Sequence, residues 1–118
     1  MHKHWCYKVV RRVTGGDSSH TQRDRNADYA NFAYYQRNFT DAETYYKKAI
    51  EHSKTPYNLA DWYTKLGLVY DDMNRLDESI DYFDKAQQLL EKLPRNILAT
   101  AELTVNLDIN FSTVLFKM

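Results

Sequence analysis

The chain has 118 residues, 16 basic and 16 acidic side chains, 43% hydrophobic residues, ten Tyr and a single Cys. This length suits one compact domain able to bury about two thirds of its unfolded surface. The zero net charge argues against a protein built mainly to hold nucleic acid. The lone Cys6 excludes an internal disulfide framework, and no apolar run is long enough to span a membrane.

The charge is unevenly placed: residues 1–25 carry six basic and two acidic side chains, residues 26–118 ten basic and fourteen acidic. Met1 to Val13 lacks the apolar stretch of a secretory signal, so a cytoplasmic location is expected. Residues 1–23 are expected to form a basic, loosely structured arm with a short ordered piece at Trp5–Val13. Gly15, Gly16, Asp17, Ser18 and Ser19 supply its linker chemistry. Residues 24–118 are expected to form the helical domain.

From Asn26 onward, apolar residues recur at spacings of three and four. A first helix holds Tyr29, Ala30, Ala33 and Tyr34 and ends near Arg37. Thr40-Asp41-Ala42-Glu43 reads as a capping box that starts a second helix at Asp41, with Tyr45, Tyr46, Ala49 and Ile50 on its apolar face. Thr55-Pro56 opens a third, because proline at the first helical position lacks only an N–H that would have no partner there. It runs through Leu59, Trp62, Tyr63, Leu66, Val69 and Tyr70 to about Met73. Asp77 is expected to cap a fourth, with Ile80, Phe83, Ala86, Leu90 and Leu93 on one stripe and Pro94 as its stop. Gaps this short require neighbouring helices to be antiparallel.

Residues 96–117 admit two patterns. Leu103, Val105, Leu107, Ile109 and Phe111 alternate with polar residues as in a strand, yet Leu103, Leu107, Phe111, Val114 and Leu115 also share a helix face. A single strand in an all-helical chain would have no partner, so a helix is expected.

The strongest signal is internal repetition. Phe39, Ala42, Tyr46 and Ala49 align with Leu76, Ser79, Phe83 and Ala86 at an offset of 37 residues, and Ala30 lies over Gly67. The small residues mark where two helices cross closely, and the large aromatics fill the space between successive pairs. The second unit, with Tyr63, Leu66, Gly67, Tyr70, Ser79, Phe83, Ala86 and Pro94, resembles the tetratricopeptide repeat. The first unit matches through Ala42, Tyr46 and Ala49, and its first helix is degenerate. The resemblance implies an all-α, right-handed solenoid of antiparallel helix pairs, with units at about 23–56 and 57–94 and an unpaired or capping helix at about 96–117.

It also implies a concave groove lined by the first helix of each pair, which receives a protein or peptide. The repeat register puts Asn31, Tyr34 and Tyr35 of the first unit and Asp61, Thr64, Leu68, Asp71 and Asp72 of the second on that face, with Ala27 beside them. Aromatics next to carboxylates suit a ligand carrying Lys or Arg. A clamp for a C-terminal carboxylate is disfavoured, since Ala27 and Leu68 stand where that groove type needs polar residues. Ile109, Phe111, Val114, Leu115 and Phe116 exceed one buried stripe, so the last helix is expected to offer an assembly surface for a copy of the chain, another subunit or the rest of a longer parent.

Other motifs weigh less. His2, His4 and Cys6 are too few for a structural metal site, so no metal or cofactor is expected. Arg11-Arg12-Val13-Thr14 matches a basophilic kinase site of a kind that arises by chance. Asn38-Phe39-Thr40 and Asn110-Phe111-Ser112 match the glycosylation sequon but need a secretory route. No phosphate loop, nucleophile elbow or paired-His motif is present, so no enzymatic activity is expected. The leading function is therefore a non-catalytic scaffold. The alternatives are a ligand-sensing regulatory domain of a larger protein and an RNA-associated factor using the basic arm.

Overall fold

The structure, a computed structural model, describes residues 18–94 and 97–118, and among them every regular element is a helix. They are α1 (Ser18–Tyr35), α2 (Phe39–His52), α3 (Pro56–Asp72), α4 (Leu76–Glu91) and α5 (Leu98–Lys117). α1 packs on α2, α2 on α3, α3 on α4, and α5 on α4 with a further contact to α3. This is the helix-pair solenoid. Residues 98–117 form a helix, as their 3.6-residue pattern indicates. The arm expected at residues 1–23 lies largely outside the described residues, but its last part is helical: α1 begins at Ser18, eight residues ahead of Asn26, where the periodic pattern starts.

The core follows the repeat. Ala30, Ala42, Ala49, Ala86 and Ser79 are fully buried, and so are the large residues Tyr46, Tyr70, Phe83, Leu66 and Val69. The tightest point is Gly67, where a Cβ would lie 2.5 Å from Phe83 Cε1 and 2.6 Å from Cδ1. The Ser79 hydroxyl donates to the Gly67 carbonyl across the same crossing at 2.8 Å. Tyr29 departs from expectation. It belongs to the periodic apolar set of the first helix, but its side chain is 52% exposed because no helix covers that face of α1 among the described residues.

The turns inside the two units are copies of one another. Arg37 and Asn74 both take φ near +60°, at the same offset of 37 residues. In the first, Arg37 N–H donates to the Tyr34 carbonyl (3.0 Å) and Asn38 N–H to Ala33 (2.8 Å). In the second, Asn74 N–H donates to Asp71 (2.9 Å) and Arg75 N–H to Tyr70 (2.8 Å). This paired bonding is the Schellman ending, in which one left-handed residue lets the chain satisfy the last carbonyls and reverse.

Two helix starts differ from the capping residues read in the sequence. The cap of α2 is Asn38, whose side chain accepts from Asp41 N–H at 3.3 Å, while Thr40 lies inside the helix with its carbonyl accepting from the Thr44 hydroxyl. The Schellman turn brings the chain into helical geometry at Phe39, too early for Thr40 to cap. For the same reason α4 begins at Leu76, with Arg75 rather than Asp77 at the cap position and no side-chain cap bond. Asp77 and Glu78 instead sit in the first turn, where negative charge meets the positive end of the helix dipole. The Thr55 cap of α3 forms as expected, its hydroxyl accepting from Asn58 N–H at 3.3 Å, with Pro56 opening the helix.

Candidate functional site

The first helices of the units lie side by side and run parallel. Tyr34 at the C-terminal end of α1 donates to Asp72 at the end of α3 (2.5 Å), and Lys117 at the end of α5 reaches Asp71 (2.8 Å). At the opposite end, Tyr57 of α3 and Ala99 of α5 line one depression. The face shared by α1, α3 and α5 holds two adjoining concavities. The larger, about 360 Å³, lies between α3 and α5 and includes Asp61, Thr64, Leu68, Glu102, Asn106 and Asn110. The smaller, about 100 Å³, lies between α1 and α3 and is lined by Asn31, Tyr34, Tyr35, Tyr46, Lys65 and Leu68. Lys65 and Leu68 belong to both, so the two form one trough along the first helices.

The residues read from sequence fall into three groups along this trough. Asp61, Thr64 and Leu68 line the larger concavity, and Asn31, Tyr34, Tyr35 and Leu68 the smaller. Thr64 is buried and its hydroxyl is spent on the Ala60 carbonyl (2.8 Å), so it contributes shape rather than a free donor. Asn31 accepts from the Tyr46 hydroxyl, and Ala27 is buried in the core. Asp71 and Asp72 line neither concavity. Their carboxylates are engaged by Lys117 and Tyr34 at the C-terminal rim, where Lys117 offsets two negative charges at the unfavourable end of α3.

The electrostatics follow from these contacts. Asp61 pairs with Lys65 at 3.4 Å, one helical turn on. Glu102 is exposed and makes no ion pair among the described residues. Burial, followed by the hydrogen bond to Asp72 and its negative charge, pushes the Tyr34 hydroxyl well above its ordinary pKa, so it stays a donor at any physiological pH. Burial does the same to Tyr46, reinforced by Asp61.

Sequence reasoning missed Tyr57, Lys65, Glu102, Asn106 and Asn110. The last three were overlooked because α5 was not placed in the repeat register. The assembly surface assigned to α5 also divides. Ile109, Leu115 and Phe116 are exposed, Phe116 at 93%. Val114 is fully buried, and Phe111 packs on Phe83 with ring centroids 5.7 Å apart. Phe111 and Val114 therefore belong to the inner stripe with Leu103 and Leu107 and are not part of an outer surface.

Among the described residues no group of three or more His, Cys, Asp or Glu side chains is placed to hold a metal ion, and no helix is long and apolar enough to cross a membrane. His2, His4, Cys6 and the Arg11–Thr14 motif lie outside the described residues. Comparison with curated proteins and with solved structures gives no match. The family model described as the tetratricopeptide repeat matches residues 24–92, covering both helix pairs and more than half the chain. On that match, together with the duplicated turns and crossings, the chain belongs to the tetratricopeptide repeat family.

Proposed function

We propose that the chain is a non-catalytic, intracellular scaffold that binds an extended peptide segment of a partner protein in the trough formed by α1, α3 and α5. The observation that carries this reading is the continuity of the two concavities through Lys65 and Leu68. The lining combines the aromatic face of Tyr57, the apolar Leu68, the amides of Asn106 and Asn110, and the carboxylates of Asp61 and Glu102. Amides can pair with a peptide backbone, and the unpaired Glu102 suits a Lys or Arg of the ligand. Compared with the sequence-based picture, the favoured acidic contacts keep Asp61, lose Asp71 and Asp72, and gain Glu102.

Peptides selected from a random displayed library against the full chain test this. Glu102→Lys and Asn106→Ala are each expected to weaken the selected peptides about tenfold, the loss of one charge-assisted or amide hydrogen bond. Gln88→Ala, on α4 and outside the lining of either concavity, should leave them unchanged. The opposite pattern would move the binding face out of the trough. The exposed Ile109, Leu115 and Phe116 favour a narrower second reading, that copies associate through α5. Sedimentation showing a dimer that Ile109→Asp dissociates would support it, and a monomer at tens of micromolar would end it.

A further inference from the structure

Exposed large apolar side chains collect at the two ends of the solenoid. Among the described residues each of them lies on α1 or on α5 and the residues beside it, and α2, α3 and α4 carry none. The helices pack in chain order from α1 to α5, so the two surfaces sit at opposite ends. On α1 they are Tyr29, Phe32 and Tyr35, with Phe32 65% exposed. Counting 37 residues on from Tyr29 and Phe32 gives Leu66 and Val69 of α3, both fully buried in one core cluster with Tyr46 of α2. Among the described residues, α1 thus presents uncovered the face on which α3 carries a neighbouring helix.

α5 is apolar on two sides. Leu103, Leu107 and Val114 face the core, while Leu98, Val105, Ile109 and Phe116, spaced by seven, four and seven residues, share the opposite face and are exposed. A helix with two apolar faces belongs between two layers, and an exposed apolar stripe marks an interaction surface. Charge distinguishes the two ends. Glu102 and Asp108, both exposed, are the charges of α5 ahead of Lys117. The α1 surface is rimmed by the exposed Arg25 and by Lys48, whose ammonium lies over the Tyr45 ring that packs on Tyr29 at 5.4 Å. Asp28, on the same helix, already has a partner. Two α5 stripes face to face would bring like carboxylates together, and two α1 surfaces like cations. α5 against α1 pairs opposite charges.

We propose that the exposed stripe of α5 docks on α1 of a second copy, with Val105 and Ile109 covering Tyr29 and Phe32 and the acidic flank of α5 meeting Arg25 and Lys48. This rests on the second reading above, association of copies through α5, and names the surface that α5 meets. α1 then gains the kind of cover that α3 takes from α2. The two surfaces differ and lie at opposite ends, so the contact does not close on a dimer. Each copy keeps one open end, and a row of copies grows with concentration.

Sedimentation of the full chain over a range of concentrations decides the matter. The wild type should form species larger than a dimer, growing with concentration. Phe32→Glu and Ile109→Asp should each weaken association at least about tenfold, so that each variant is monomeric where the wild type associates. Both side chains are mostly exposed, so each variant should keep the helical circular dichroism of the wild type. Mixed one to one, the two variants should form a dimer and nothing larger, because each retains the surface that the other has lost. A wild type that stops at a dimer, or a mixture that stays monomeric, overturns docking of α5 on α1. If Phe32→Glu associates like the wild type and Ile109→Asp does not, association through α5 stands and this docking falls. A wild type that is monomeric at tens of micromolar, or association that survives both substitutions, overturns the two together.

Discussion

The two helix pairs use one backbone plan and different side-chain solutions. In the second pair, α3 and α4 approach until only glycine fits, with the Phe83 ring against Gly67 and the Ser79 hydroxyl bonded to the Gly67 carbonyl. In the first, Ala30 and Ala42 occupy the equivalent places, so the crossing has a methyl where the other has none and lacks the hydroxyl bond. Tyr46 stands where Phe83 stands, and its hydroxyl donates to Asn31 on the trough side. The second pair is therefore tied together through its apolar crossing. The first is tied partly through polar contacts that also shape the candidate binding face.

The largest expected effect tests that asymmetry. Gly67→Leu puts four extra carbon atoms into space already held by a fully buried ring, and urea denaturation should lose its cooperative transition. Gly67→Ala is milder: at a Cβ contact of 2.5 Å the overpacking costs about 2–3 kcal/mol, partly offset by about 1 kcal/mol from the better helix propensity of alanine, leaving a net loss of about 1–2 kcal/mol. Adding Phe83→Leu, which withdraws the ring edge, should make the double variant lose less than the sum of the single losses. Wild-type stability for Gly67→Ala would show that α3 and α4 can separate freely, and the two crossings would then be equivalent.

A second effect concerns the joint between the pairs. Glu43 of α2 accepts from the Tyr70 hydroxyl of α3, pairs with Lys47 at 3.2 Å and lies 3.8 Å from Arg75. Burial works against the Glu43 carboxylate, but the bonds from Tyr70 and Lys47 and the charges of Lys47 and Arg75 outweigh it and hold its pKa below the usual value. Burial, then the bond to Glu43, pushes Tyr70 up to about 12. The signs follow from linkage. The depressed Glu43 contributes stability that is complete above its ordinary pKa of 4.5 and is lost as pH falls through the folded value. The raised Tyr70 contributes stability that is complete below 10 and is lost as pH rises toward about 12. Stability against urea should therefore be flat between these limits as far as this joint is concerned. Glu43→Gln should flatten the acid side of the profile, and Tyr70→Phe should reduce the alkaline fall without removing the share due to Tyr34 and Tyr46. An acid limb unchanged by Glu43→Gln would place the joint's stability elsewhere.

What was legible in the sequence was local or periodic. The small and aromatic slots, the Thr55-Pro56 start and the helical character of residues 98–117 depend on neighbours within a turn or on a regular spacing. What escaped depends on distant partners. Asp71 and Asp72 look like free acids on a helix face until Lys117 and Tyr34, 46 and 38 residues away, are brought beside them. Tyr29 occupies a slot that is interior only when another helix covers it. Glu102, Asn106 and Asn110 reach the trough because α5 lies parallel to α3, and a helix without a second member carries no repeat to fix its register. The Asn38 cap was hidden by the turn before it, since nothing in the sequence marks Arg37 as a left-handed residue.

That turn supplies the smallest and sharpest comparison. Arg37 and Asn74 hold the same backbone conformation at equivalent positions, with φ of 63° and 61°. Left-handed geometry strains a side chain with a Cβ by about 1 kcal/mol and is tolerated best by glycine, then by asparagine. Arg37 offsets part of that strain by placing its guanidinium 5.4 Å from the centre of the Phe39 ring, an exposed contact of about 0.5 kcal/mol. Arg37→Gly should therefore stabilise the chain by about 0.5 kcal/mol, a rise of about 2–4 °C in melting temperature. Asn74→Gly should give only a few tenths of a kcal/mol, since asparagine already accepts the conformation. Arg37→Ala separates the two contributions, because it keeps the strain and loses the ring contact, and it should melt below the wild type. Equal gains at the two turns would mean that their matching hydrogen bonds, and not the residue at the left-handed position, set the cost of reversing the chain.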